Sequence, residues 1–163
     1  MLKKIVINTS PIIALFSAFD DLSFLNELYS EIIVPLEVKN ELLYGNAEYF
    51  GAKLFLQSKV FTILEEPQKI MPLLIKTLDI GEASVIQTAI NKNIDTVCID
   101  EVSGRRIAGL SDLKVTGSLG VIIKAIKNGL DADIQEIIHK MRSNGIWISD
   151  DLEQTAISLV HKE

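Results

Sequence analysis

The chain has 163 residues, 48% of them apolar and 23% charged, with a net charge of −6. That apolar content excludes a disordered chain, and the length suits one domain with a sizeable core. The acidic balance argues against broad electrostatic adhesion to nucleic acid. It leaves room for an acidic, cation-loaded site that cuts nucleic acid, or for a basic protein partner. No apolar run reaches the roughly 18 to 20 residues that span a bilayer, so no membrane partner is expected. The run after Met1-Leu2-Lys3-Lys4 leads straight into Asn8-Thr9-Ser10-Pro11 and reads as a first strand, not a leader. The single cysteine, Cys98, rules out an internal disulfide. Set in an apolar run, it reads as a buried, inert thiol of a cytoplasmic protein.

Ile5-Val6-Ile7 is a continuous β-branched run, as in a strand buried on both faces, and Asn8 ends it. Ser10 reads as an N-cap with Pro11 at the first helical position of an apolar helix over residues 12–19. Leu22, Leu25 and Leu28 suggest a second helix over residues 21–29, followed by a strand over 31–34. Pro35 opens a helix in which Val38, Glu41 and Leu42 are three and four apart, so Glu41 shares a side with two apolar residues. A helix over 47–57 and a strand over 60–63 come next. Glu65-Glu66-Pro67 breaks the pattern before a helix near 71–78. Asp79-Ile80-Gly81-Glu82 then opens a helix, and the apolar strand Thr96-Val97-Cys98-Ile99 ends at Asp100. A helix carrying Arg105 and Arg106 is expected to close at Gly109. A brief strand over 113–115, a helix capped by Ser118 and reaching residue 128, and helices over 132–143 and 152–161 complete the chain. Trp147, in the stretch between the last two helices, reads as a packing residue. No repeat or linker interrupts the pattern. Helices alternating with short apolar strands predict one α/β domain over residues 1–163 with a mainly parallel sheet.

In a parallel sheet all strand C-termini share one edge, where α/β proteins bind their ligands. Asn8 and Asp100 both end apolar strands and so can be neighbours. Glu82 starts a helix at that edge, and Glu41 lies on the inward side of its own. Several carboxylates in one cleft are costly unless a cation or bound protons neutralise them. Hard divalent ions with oxygen ligands, Mg²⁺ or Mn²⁺, suit such a group. There is no Cys/His set for zinc, and His139 and His161 fall on late helices.

Five pieces in order carry a resemblance. They are Asn8-Thr9-Ser10-Pro11 within residues 6–15, Glu41 within 34–42, and Leu78-Asp79-Ile80-Gly81-Glu82-Ala83. Ile99-Asp100-Glu101 with Gly104-Arg105-Arg106, and Val115-Thr116-Gly117-Ser118-Leu119-Gly120-Val121, follow. Together they are similar to the PIN domain, in its toxin-like branch. The resemblance implies a three-layer α/β/α sandwich and a metal-dependent endoribonuclease acting on single-stranded RNA, with Mg²⁺ or Mn²⁺ as cofactor. It further implies the toxin of a toxin–antitoxin pair, cytoplasmic, homodimeric and held by an antitoxin protein. By position, the catalytic and metal-binding residues are Glu41, Glu82, Asp100 and Asn8. The first family acid falls on Asn8, whose amide offers an oxygen but no charge, which implies weakened metal binding and turnover; the exchange is either natural or engineered. Thr9, Ser10, Arg105, Thr116 and Ser118 stand at the rim as substrate-binding candidates.

Each residue also has a plainer reading. Asp79 and Glu82 fit a capping box. Glu41 fits a partly exposed helix acid, and Asp100 fits a cap for the helix that follows it. Arg105 and Arg106 suit ion pairs with nearby acids better than contacts to RNA. Two other functions remain open: a non-catalytic PIN-like module that binds RNA or an antitoxin, and a phospho-acceptor receiver domain. The latter wants a pair of acids after the first strand, where this chain has Asn8-Thr9-Ser10.

Overall fold

A computed structural model describes residues 1–44 and 50–163. Its centre is β1 (Lys3–Ile7), in which Ile5, Val6 and Ile7 are buried. β1 pairs in parallel with β2 (Tyr29–Val34) on one side and β4 (Thr96–Cys98) on the other. Parallel edge strands β3 (Phe61–Ile63) and β5 (Lys114–Thr116) complete the order β3-β2-β1-β4-β5. The all-parallel arrangement explains the unbroken apolar strands: helices cover both faces, so no face needs polar residues.

The helices are α1 (Thr9–Ala18), α2 (Leu36–Tyr44), α3 (Phe50–Gln57), α4 (Pro72–Thr77), α5 (Ile80–Asn91), α6 (Val102–Leu110), α7 (Ser118–Lys127), α8 (Ile134–Ser143) and α9 (Asp150–His161). α1, α7, α8 and α9 pack in one layer, and α2, α4, α5 and α6 in the other. The result is a three-layer α/β/α sandwich. α5 is buried from Gly81 to Ala89 because α2, α4, α6, β1 and β4 surround it.

From β1 the chain adds β2 and β3 on one side, then returns to add β4 and β5 on the other. The reversal falls between β1 and β4, and their C-terminal ends are laced together: the Asn8 N–H donates to the Cys98 carbonyl at 3.0 Å. Such a switch point leaves a crevice above the sheet. At the opposite edge, Lys3 and Lys114 pair with Asp95 at 2.9 and 3.4 Å, and Lys4 pairs with Glu31 at 2.8 Å. Exposed pairs of this kind add little stability, but they keep these lysines away from the crevice.

Several local expectations are corrected. α1 starts at Thr9 with Asn8 at the cap position, and Ser10 lies inside the helix instead of capping it. Pro11 is tolerated in this first turn because its missing N–H would have had no intrahelical partner. The helix expected over residues 21–29 is a short 3-10 segment, Ser23–Glu27. Leu22, Leu25 and Leu28 remain buried, since a spacing of three is the 3-10 period as well. Tyr29 is already paired with Lys3 in the sheet, so no second α-turn fits. α6 runs through Leu110, and the left-handed residue that follows is Asp112, at φ 60°, not Gly109. Ser118 is the first residue of α7 and Gly117 takes the cap position. Trp147 is 84% exposed and packs against nothing in the core. Residues 47–49 of the helix expected over 47–57 lie outside the described residues.

The edge strand β3 is held by aromatic contacts. Phe61 meets Phe16 edge-on, with ring centroids 6.2 Å apart, and Phe55 at 5.3 Å. Phe16 and Phe55 are buried. Phe16→Ala is expected to cost about 3 to 5 kcal/mol through lost burial and an unfilled cavity, read as a fall in the urea midpoint with an unchanged slope.

Candidate functional site

The loops above β1 and β4, the second half of α2 and the starts of α5 and α6 bring acids to the crevice. Glu82, in the first turn of α5, is 2% exposed. Asp79 caps that helix, its Oδ1 accepting from the Glu82 N–H at 2.8 Å. The expected capping box is therefore present on the Asp79 side. The cap does not fix the role of the Glu82 side chain, whose Oε1 has no hydrogen-bond partner. Asn8 is 3% exposed, and its Oδ1 also lacks a partner. A buried polar atom left unpaired is expensive, and here there are two in one crevice.

Gly81 shows how tightly the groups converge. A Cβ placed there would strike the Glu41 carboxylate and stand 3.2 Å from Asn8 Oδ1 and 3.4 Å from Asp79 Oδ1. Glycine at this position lets Glu41, Asn8 and Asp79 face one point. Gly104 on α6 acts similarly for Glu82, since a Cβ there would lie 2.8 Å from Glu82 Oε1.

The remaining residues are held by defined bonds. Glu41 Oε2 accepts from the Thr9 hydroxyl at 2.8 Å. Asp100 Oδ1 accepts from the Ser118 N–H at 2.7 Å, and Oδ2 from the Ser118 hydroxyl at 2.9 Å. Asp100 is thus a helix cap, but for α7 and not for the helix that follows it in sequence. Thr116 donates its hydroxyl to the Gly117 carbonyl at 3.3 Å. Arg105 donates from Nη1 to the Ile99 carbonyl at 2.9 Å, which sets its guanidinium near Asp100. The ion pairs expected of Arg105 and Arg106 do not form: among the described residues no cation pairs with Glu41, Asp79, Glu82, Asp100 or Glu101.

Two acids enter that the sequence reading did not count as ligands. Asp79, Glu82 and Glu101 each place a carboxylate oxygen so that all three lie within 4.8 Å of one another. Ser10 donates to Glu101 Oε1 at 3.3 Å. The signals were present but discounted: Asp79 was absorbed by its capping role, and Glu101 was overshadowed by Asp100 beside it.

Uncompensated burial shifts these groups in one direction. Burial first, then the neighbouring Glu101 carboxyl and the charges of Asp79 and Glu101, push Glu82 up to about 7. Burial raises Glu41, opposed by the Thr9 hydroxyl and assisted by Asp79 and Glu101. Burial also raises Asp100, against its bonds from Ser118 and the nearby Arg105. Two orphaned oxygens, crowded carboxylates and no paired side-chain cation form a donor set that fits a hard divalent ion.

The fold and this crevice define an α/β protein with carboxylates gathered at the switch point of a parallel sheet. A family model described as a PIN domain matches residues 4–162, and the chain belongs to that family. PIN domains are generally metal-dependent nucleases, so the family implies a nucleic-acid substrate. No curated protein and no solved structure matches the chain. Among the described residues, no helix is long and apolar enough to cross a membrane.

The raised Glu82 value has a consequence for stability. Between the ordinary 4.5 and about 7, the folded protein keeps a proton that the unfolded chain has released. Without divalent cations, stability is therefore expected to fall as pH rises through that window. Melting temperatures measured in chelator should show this slope, and Glu82→Gln should flatten it. Gly81→Ala provides a second check. It is expected to leave stability within about 1 kcal/mol, because the gain in helix propensity is offset by the Thr9 bond lost when Glu41 is displaced and by crowding of buried Asn8. Its Mn²⁺ binding, followed by calorimetry, should weaken.

Proposed function

We propose that this protein is a divalent-cation-dependent endoribonuclease acting on single-stranded RNA, and the toxin of a toxin–antitoxin pair. The observation that carries the reading is that Asn8 Oδ1 and Glu82 Oε1 are each buried and unpartnered, at a crevice whose acids, among the described residues, make no ion pair with a side-chain cation. Glu41, Glu82, Asp100 and Asn8 would hold Mg²⁺ or Mn²⁺. When bound, the cation supplies Lewis acidity toward water and phosphate oxygens. The protein's own groups do the positioning. Ser118 fixes both oxygens of Asp100, and Thr9 fixes Glu41. The Glu82 carboxyl can hold or release a proton near neutrality. Arg105 and Thr116, with Ser10 and Ser118, would contact the phosphate chain. The guanidinium of Arg105 suits bidentate contact with phosphate oxygens.

An antitoxin could insert a basic side chain among Glu41, Glu82 and Asp100, mimicking the cation. A homodimer follows from the family resemblance. Leu73 and Ile75 on α4 and Ile80 at the start of α5 are more than half exposed, and offer apolar surface to a protein partner. Asn8 favours one alternative, a PIN-like module that binds RNA or an antitoxin without cutting it.

Cleavage of a fluorogenic single-stranded RNA tests the two readings. Activity is expected with Mg²⁺ or Mn²⁺ and none in chelator. Asp100→Asn should lower it by about 10- to 100-fold or more, and Asn8→Asp should raise both cation affinity and rate. If chelator and Asp100→Asn leave the cutting unchanged, the metal-dependent reading is wrong. If no variant cuts RNA but the parent binds it, the binding module takes its place.

A further inference from the structure

Asn8 brings an oxygen to the crevice but no charge. Its Oδ1 and Asp79 Oδ1 face the same point beside Gly81. Asn8 is 97% buried, given its 3% exposure, and its oxygen has no partner. Of the three carboxylates expected by position, Asp100 already accepts from Ser118 on both oxygens and Glu41 accepts from Thr9. Glu82 alone keeps a buried oxygen without a partner, and its 2% exposure denies that oxygen bulk water.

Glu101 occupies the cap position of α6 and makes no side-chain bond to that helix. A carboxylate at an N-cap ordinarily accepts from the second or third N–H of its own helix. Here it turns the other way. Its Oε1 accepts from Ser10, two residues beyond Asn8 on α1. A carboxylate oxygen of Glu101 also lies within 4.8 Å of oxygens on Asp79 and Glu82. The side chain therefore gives up a capping bond and adds negative charge to a place already crowded with it. Among the described residues, no ion pair with a protein cation offsets that arrangement.

We propose that Glu101 is a ligand of the divalent cation, supplying from the loop after β4 the negative charge that Asn8 does not supply from the end of β1. The proposal rests on the reading of this crevice as a cation site and adds to it a ligand and a compensation. Asp79 belongs to both groupings, beside Asn8 Oδ1 at Gly81 and within 4.8 Å of Glu82 and Glu101. Asp79 holds the start of α5 and adds a further acidic oxygen. Ser10 is a positioning residue for Glu101.

Calorimetric titration of the full chain with Mn²⁺ tests this without reference to catalysis. Glu101→Gln is expected to weaken Mn²⁺ binding by about tenfold or more and to shrink the Mn²⁺-induced rise in melting temperature. Its melting temperature in chelator should not fall, because no capping bond is lost. Glu101→Asp should recover part of the affinity. Adding Asn8→Asp to Glu101→Gln should restore Mn²⁺ binding, since the missing charge returns from the other side. If Glu101→Gln binds Mn²⁺ as the parent does while Glu82→Gln does not, Glu101 is no ligand, and the cation-site reading survives. If Asn8→Asp fails to restore binding in the Glu101→Gln background, the compensation is overturned. A parent chain that binds no Mn²⁺ would remove both this proposal and the reading beneath it.

Discussion

Glu82 carries a carboxyl group into a place that water barely reaches, and its neighbours make the position worse for a negative charge. Asp79 and Glu101 add charge beside it, and among the described residues no arginine or lysine forms an ion pair with them. A protein that merely needed stability would put an apolar residue at the start of α5, since replacing unpaired buried charge with hydrocarbon is generally favourable. The fold bears the cost locally and recovers stability in the surrounding layers, where Ile5, Val6 and Ile7 of β1, most of α1 and residues 81–89 of α5 are buried. Unsatisfied polar atoms on Asn8 and Glu82, beside crowded carboxylates, mark a place where a ligand can complete the structure.

The parallel sheet makes that concentration possible. Strand ends at β1 and β4 meet at the reversal of strand order, so Asn8 and Asp100 arrive together although 92 positions separate them. The serines and threonine at the crevice then act from different elements. Thr9 and Ser10 on α1 hold Glu41 and Glu101, while Ser118 on α7 holds Asp100. Three short hydroxyl side chains restrain three acids. Deleting a single hydroxyl would loosen one acid without disturbing the core. Charge is also sorted across the sheet: Lys3, Lys4 and Lys114 are paired at the far edge. The crevice therefore stays acidic for reasons of topology as well as local composition.

Much of this was legible in the residues. The β-branched run of β1, the strand before Asp100 and the polar break at Asn8 gave the sheet and its functional edge, because a fully buried parallel strand leaves a plain mark in sequence. The inward placement of Glu41 followed from helical spacing. Other features depended on partners distant in sequence. Whether Ser118 caps its own helix or binds Asp100 is decided by the pairing of β4 with β5, which local pattern does not encode. Glu101 had no local signal, because the Ser10 hydroxyl that draws it across the crevice lies 91 positions away. The triplet Leu22, Leu25 and Leu28 fits both a 3-10 and an α-helix, and the early start of β2 chooses between them. Trp147 was misjudged from its residue type: large aromatic side chains usually pack, but this one lies in an extended connection between α8 and α9.

The exposure of Trp147 also determines how this molecule will look in a fluorimeter. It is the only tryptophan in the chain, and 84% of it already meets water. Its emission in the native state should be red-shifted and open to collisional quenchers, so denaturation will move the spectrum little. Emission from this indole is a poor gauge of the core and a sensitive one for anything that covers the connection between the last two helices. Far-ultraviolet dichroism, which reads the helical layers directly, is the better measure of unfolding.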